Sequence, residues 1–269
     1  MNYYMEKLEL RNRKNQKIVG ILGMPEGPVR GTAVVVHGFG GIKEQDHILK
    51  MEAAFRDNGF ITFNFDATNS FGESEGEYWD ARLGLHAEDL EDVVKWMRQQ
   101  EWFREPLALT GHSMGGYAVA RYAERYPDEV SILAPIAPVV SGELSFEAHH
   151  EEDPVAFEEF RQRGFKESVS HTSGRLKRSS WAEMEERLHH DLLPDAKKLV
   201  MPTLLVVGSK DISIRPRDVQ SLYDALPARK ENELRVIEGA PHTYRSREDV
   251  DALYEIISNW LKGLMLKKH

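Results

Sequence analysis

The sequence predicts an α/β fold: a doubly wound, mostly parallel sheet with helices on both sides and a helical lid inserted late in the chain. Three observations carry this reading. Apolar runs of strand length alternate with segments of helical spacing from Thr32 to Ala137, and the alternation returns from Pro202 to Trp260. The Thr32 to Val36 run is β-branched at nearly every position, as in a parallel strand covered on both faces. Between Ser141 and Lys198 the alternation stops, and a charged, histidine-bearing block of this length reads as an insertion rather than a loop. The expected organisation is a core of residues 1–140 and 199–269 carrying a lid of residues 141–198.

In chain order, Tyr3 to Leu10 and Lys17 to Met24 alternate on either side of a polar turn, which predicts an antiparallel hairpin. After Thr32 to Val36, the residues Ile48, Leu49, Met51, Ala54 and Phe55 fall at helical spacing, and Asn58-Gly59 supplies a stop. Phe60 to Phe65 is a strand, Asp66 to Asp80 a polar loop, and Leu90, Val93, Val94 and Met97 mark a helix over His86 to Gln100. Leu107 to Leu109 is a buried strand, Met114 to Tyr126 a helix and Val130 to Ala137 a further strand. In the lid, Asp153-Pro154 starts one short amphipathic helix, and Ser180 with Glu183 forms the capping-box pattern of a second. Beyond it come a strand at Pro202 to Val207, a helix from Arg215-Pro216 to Ala225, a short strand at Leu234 to Ile237, and a last helix. Ser246 and Asp249 head that helix, and Val250, Leu253, Ile256, Ile257 and Trp260 line one face.

The totals bound the function. A chain of 269 residues fits one α/β core with an insertion. Its 41% hydrophobic and 29% charged residues are those of a globular protein, with no stretch of membrane-spanning character. With 35 basic against 44 acidic residues the formal charge is −9, which argues against nucleic acid or an anionic membrane as partner. The chain has no cysteine, so thiol nucleophiles and disulfides are excluded. The first residues lack the apolar run of a signal peptide, and cytoplasmic residence is expected.

The chemistry centres on Gly111-His112-Ser113-Met114-Gly115-Gly116, which joins a strand to a helix. Gly111 and Gly115, without Cβ atoms, allow the two elements to approach closely, so that Ser113 sits on a strained turn with its hydroxyl projecting beyond the strand. This G-x-S-x-G elbow resembles that of the α/β-hydrolase family. In detail the chain is most similar to the small capped serine esterases, including cinnamoyl or feruloyl esterases, on three features: the His37-Gly38-Phe39 loop, the Gly-His-Ser-x-Gly-Gly elbow and the compact lid. Met114 departs from the polar residue that some of those enzymes carry beside the nucleophile.

The resemblance implies that Ser113 is the nucleophile, Asp211 the acid three residues past Gly208, and His242 the base after the last strand. Glu143 is the rival acid. The backbone N–H groups of Phe39 and Met114 are the implied oxyanion donors, with Gly40 the alternative to Phe39. His37 is expected to be a structural loop residue. The loop bearing Ser70-Phe71-Gly72-Glu73-Ser74 looks similar to one beside the family's pocket. Gly40, Phe71, Trp181 and Tyr244 are candidates for substrate binding. The pairs His149-His150 and His189-His190 lack metal-ligand spacing and are expected to be solvated, so neither a metal nor a cofactor is expected.

The expected function is hydrolysis of short-chain or aromatic carboxylic esters through an acyl-enzyme, with a small-molecule ester as partner and a homodimer left open. A thioesterase, a monoacylglycerol lipase and an aminopeptidase-type hydrolase stay open as alternatives, as does a non-catalytic binding protein on the same scaffold.

Overall fold

The computed structural model describes residues 5–169 and 174–266. Tyr3 and Tyr4, where the opening strand was expected to begin, lie outside these residues. Strands β1 (Met5–Arg11) and β2 (Lys17–Gly23) form the antiparallel hairpin, with Leu8 opposite Gly20. The alternating unit follows: β3 (Gly31–Val36), α1 (Asp46–Asp57), β4 (Phe60–Asp66), α2 (Leu83–Met97), β5 (Leu107–His112), α3 (Met114–Arg125) and β6 (Ile132–Ile136). The inserted block holds α4 (Gly142–Glu152), α5 (Pro154–Arg163), β7 (Phe165–Val169), β8 (Leu176–Ser180) and α6 (Trp181–Arg187). The chain then returns to the sheet with β9 (Leu204–Gly208), α7 (Pro216–Ala225), β10 (Glu233–Ile237) and α8 (Arg247–Leu266).

The main sheet has eight strands in the order β1-β2-β4-β3-β5-β6-β9-β10, parallel from β4 onward along that order. The fold is that of the α/β hydrolases. Pleating lets one apolar strand feed two cores. Ala33 and Val35 of β3 face Ile48, Met51 and Phe55 of α1 and Leu253 and Ile257 of α8. Val34 and Val36 face Val93 and Met97 of α2 and Val119 and Ala123 of α3. Each buried valine contributes about 1.5–3 kcal/mol relative to exposure, so a continuous apolar run is favoured only between two layers of helices. Because β4 and β5 flank β3 on opposite sides, the order in which strands are added across the sheet reverses there, and such sheets open a crevice at the C-terminal ends of β3 and β5.

The inserted block departs from the form expected of it. It contains three helices rather than two, and a hairpin that no apolar alternation announced, with Lys166 opposite Ser179 and Ser168 opposite Lys177. Asp153 caps α5 as expected, accepting from the Ala156 N–H at 2.9 Å. Ser180 does precede α6, but its side chain makes no cap: the hydroxyl donates to Trp79 O at 3.4 Å and Glu183 pairs with Arg187 instead, so the capping box does not form. The Ser246–Asp249 box does form, with Asp249 N–H donating to Ser246 Oγ at 3.0 Å.

Phe157, Phe160, Trp181 and Met184 form the lid's own small core, with Phe146 against it. Polar contacts fasten the inserted block to the sheet layer. Glu186 accepts from the N–H groups of Leu83 and Gly84, both at 3.0 Å, and so satisfies the first turn of α2 from outside. His190 bridges the same carboxylate (2.5 Å) and the Tyr117 hydroxyl (2.7 Å). This corrects the expectation that His190 is solvated; His189 and His150 are exposed, as expected.

Candidate active site

Ser113 lies at the tip of β5, immediately before α3, with φ 57° and ψ −113°. This is a costly conformation for a residue with a side chain, and its neighbours hold it there. A Cβ on Gly111 would lie 2.3 Å from Gly115 O, and one on Gly115 2.3 Å from Val36 O. The Ser113 N–H donates to Ile136 O at 2.9 Å, while its carbonyl accepts from Tyr117 and Val139 at 3.0 and 3.2 Å. Strand, helix and neighbouring strand thus leave the hydroxyl one direction in which to project.

In that direction stands His242. Its Nε2 is 3.0 Å from Ser113 Oγ, and its Nδ1–H donates to Asp211 Oδ2 at 2.7 Å. With Nδ1 protonated toward the carboxylate, Nε2 presents a lone pair to the hydroxyl. Asp211 is buried, and its other oxygen accepts from the N–H groups of Ser213 (3.0 Å) and Ile214 (2.8 Å), which fixes the carboxylate plane. The loops that carry Asp211 and His242 are stitched together where Lys210 N–H donates to Ala240 O at 3.0 Å. Glu143, the rival acid, is exposed in the first turn of α4, and the histidine's partner is Asp211.

Two expected donors surround the serine. Met114 is the first residue of α3, so its N–H belongs to the turn that has no intrahelical acceptor. Phe39 lines the cleft on the loop after β3, which is closed by Gly41 N–H to Gly38 O at 3.0 Å. Gly40 (φ +63°) lines an adjoining depression, to which Phe39 also contributes.

His37 is fully buried and holds this loop in place. Its Nδ1–H donates to Gly38 O at 2.7 Å, its Nε2 accepts from Ala67 N–H at 3.0 Å, and its carbonyl accepts from His86 Nε2–H at 2.8 Å. Burial pushes the pKa of His37 down, and that of His86 to about 3, so both remain neutral supports.

The cleft above Ser113 encloses about 270 Å³. None of the four residues expected to contact substrate, Gly40, Phe71, Trp181 and Tyr244, lines this cleft. Phe71 stacks on Tyr78 with centroids 4.5 Å apart, and Tyr78 in turn lies 4.8 Å from Phe39, so Phe71 is two rings away from the cleft. Trp181 is spent in the lid core, with its indole N–H donating to Glu185 at 3.1 Å. Tyr244 is buried beneath the adjoining depression, 5.9 Å from the His112 ring.

The residues that do line the cleft include several that pattern reading did not single out. Val139, Met184 and Ile214 supply apolar surface, and His149, expected to be solvated, is half-buried there with its pKa pushed down to about 3 by burial and then by Arg187. Lys166, Ser168, Lys177 and Ser179 form the roof. Their signal in the sequence is a period of two, Lys-x-Ser on both arms of the hairpin, but it is polar rather than apolar. Among the described residues no group of three or more carboxylates and histidines is placed to hold a metal, and no helix is long and apolar enough to cross a membrane.

A family model described as serine aminopeptidase, S33, matches residues 27–167. Solved structures share the whole fold at low identity. Est1E from Butyrivibrio proteoclasticus, with ferulic acid bound, superimposes with a TM-score of 0.78 at 19% identity over 96% of this chain and 99% of that one. The α/β-hydrolase domain-containing protein 10 from mouse gives a TM-score of 0.75 at 18% identity, covering 96% and 99%. An Escherichia coli protein known only as the uncharacterized 31.7 kDa protein in the traX-finO intergenic region is 26% identical over 76% of this chain and 80% of its own length.

Proposed function

From a chain that belongs to the serine aminopeptidase S33 family of α/β hydrolases, we propose a serine carboxylesterase with Ser113 as nucleophile, His242 as base and Asp211 as its orienting acid. The observation that carries the reading is the continuous hydrogen-bonded line Ser113 Oγ, His242 Nε2, His242 Nδ1, Asp211 Oδ2 at the strained elbow.

In the first half-reaction His242 takes the Ser113 proton as Oγ bonds to the ester carbonyl carbon. The oxyanion accepts from the Phe39 and Met114 N–H groups. As the C–O bond to the alcohol breaks, His242 returns the proton to the leaving oxygen. Water then repeats the sequence on the acyl-enzyme: His242 accepts its proton, the hydroxyl bonds to the acyl carbon, and Ser113 leaves with the proton, giving one acid and one alcohol per water consumed. Short-chain or aromatic esters suit a cleft of about 270 Å³ that Phe39, Val139 and Phe160 help to line. The ferulic acid bound to Est1E supports the aromatic case.

The family description favours a second reading, cleavage of an aminoacyl amide. That reaction calls for a carboxylate to receive the substrate ammonium. Glu183 is the carboxylate lining the cleft among the described residues, and it is already paired with Arg187. The deciding experiment assays wild type and Ser113→Ala on p-nitrophenyl acetate, p-nitrophenyl butyrate and an aminoacyl p-nitroanilide, with fluorophosphonate labelling alongside. Ester turnover that falls at least about a thousandfold in the variant, with labelling lost, is the expected result. Unchanged turnover in Ser113→Ala would remove the assignment, and faster amide than ester cleavage would replace it with the peptidase.

A further inference from the structure

The roof of the cleft carries a charge that the reaction at Ser113 does not use. In the β7–β8 hairpin the cross-strand pairs Lys166–Ser179 and Ser168–Lys177 fall on one face, and all four residues line the cleft. A hairpin laid over an apolar cavity would ordinarily turn an apolar face inward. This one presents two ammonium groups and two hydroxyls.

Neither ammonium forms a hydrogen bond or ion pair with any described residue. Lys166 Nζ lies 5.0 Å from the Phe160 ring centre, and Lys177 Nζ 5.6 Å from those of Phe39 and Tyr78. The third cation, Arg187, is matched by Glu183 and also donates to Ser145 Oγ at 2.9 Å. Three cations against one carboxylate leave the cleft with two unmatched positive charges, on a chain whose formal charge is −9.

Holding two ammonium groups together costs free energy. Lys166 keeps solvent contact at the mouth of the cleft, yet the protein packed around its ammonium lowers its pKa, with repulsion from Arg187 second; Lys177 is lowered by burial and then by Lys166. An anion between them would offset both the burial of the two charges and their mutual repulsion.

We propose that the ester hydrolysed at Ser113 carries a carboxylate on its acyl or its alcohol part, received by Lys166 and Lys177 with the hydroxyls of Ser168 and Ser179. This substrate class rests on the esterase reading above. It turns the preference of the site away from neutral hydrophobic esters and from the ammonium substrates of aminopeptidases.

Two matched pairs of esters test it: 4-nitrophenyl hydrogen glutarate against 4-nitrophenyl methyl glutarate, and 4-carboxyphenyl acetate against its methyl ester. For at least one pair the wild-type kcat/KM of the anionic ester exceeds that of the neutral one by about tenfold or more, and the excess shrinks with added salt. The ratio collapses in the double variant Lys166→Gln/Lys177→Gln and survives in Lys166→Arg/Lys177→Arg. It shifts less than about twofold in Arg178→Gln, which removes a charge from the outer face of the same hairpin. Neutral esters preferred in both pairs, or an anionic preference that persists in the double glutamine variant, would overturn the proposal.

A second arm separates this from failure of the esterase reading. If no ester is turned over and Ser113 takes no fluorophosphonate, that reading fails by itself. The roof is then judged by calorimetric titration of glutarate into the same proteins. Binding weakened about tenfold by the double glutamine variant keeps the anion site, and absence of binding up to about 10 mM removes it.

Discussion

The Nε2–H of His112 donates to the carbonyl of His242 at 2.8 Å, so the residue before Ser113 holds the backbone of the histidine that faces it. His112 is buried, with its ring 4.7 Å from that of His242 and 4.5 Å from that of His47. Burial, reinforced by His47, drives its pKa well below the ordinary range, so it stays neutral and its donor does not change with pH. His112 is a positioning residue.

His112→Phe keeps a ring in the cavity and removes the donor. The His242 carbonyl then loses a buried partner, at a cost of about 1–3 kcal/mol in stability. His242 also loses its fixed distance from Ser113. We expect kcat for p-nitrophenyl butyrate to fall by about ten- to a hundredfold with KM changed by less than about threefold. Steady-state kinetics on protein shown folded by circular dichroism checks this. An unaltered kcat beside a lowered melting temperature would reduce His112 to a packing role.

The elbow was legible in the sequence because its constraints are local: Gly111, Ser113 and Gly115 lie within five positions, and both glycines are demanded by the backbone that a Cβ would strike. Asp211 and His242 were legible for a different reason, since each follows a strand whose place in the alternation was already determined. The lid resisted because its partners come from elsewhere in the chain. Trp181 reads as a pocket aromatic until Phe146, Phe157 and Phe160 are found around it. His190 reads as a solvated residue until Tyr117 is placed opposite. The Lys-x-Ser arms of β7 and β8 have the right period for strands but the wrong polarity for a search built on apolar alternation.

The two kinds of glycine in the chain give a matched stability test. Gly115→Ala sets a Cβ 2.3 Å from Val36 O, a backbone atom that cannot move without displacing β3. Gly263 sits within α8 with nothing within 4 Å of its Cβ position. Gly115→Ala is expected to destabilise by about 3 kcal/mol or more, or to prevent folding, and to abolish fluorophosphonate labelling. Gly263→Ala is expected to stabilise by about 0.5–1 kcal/mol, because it removes backbone freedom from the unfolded chain and favours helix. Urea denaturation of the two variants measures both signs. Equal effects would mean that the close approach at the elbow does not control the fold.

Glu124 on α3 makes stability depend on pH in a direction opposite to that of most carboxylates. Its side chain is buried, and burial lifts its pKa from 4.5 to about 7, although its contact with Arg121 at 3.0 Å works the other way. One carboxylate oxygen, Oε1, has no hydrogen-bond partner among the described residues. Below pH 4.5 the group is protonated in both folded and unfolded chains and contributes no difference. Between 4.5 and about 7 the folded chain keeps a proton that the unfolded chain has released, so unfolding releases a proton and stability falls as pH rises. Above about 7 the full cost remains, on the order of 1–3 kcal/mol. Glu124→Gln removes the buried charge and keeps the shape. Melting curves should show the variant more stable than wild type at pH 8, with the advantage gone at pH 4. A constant difference across that range would mean that Glu124 has the same pKa in folded and unfolded chains, its contact with Arg121 offsetting its burial.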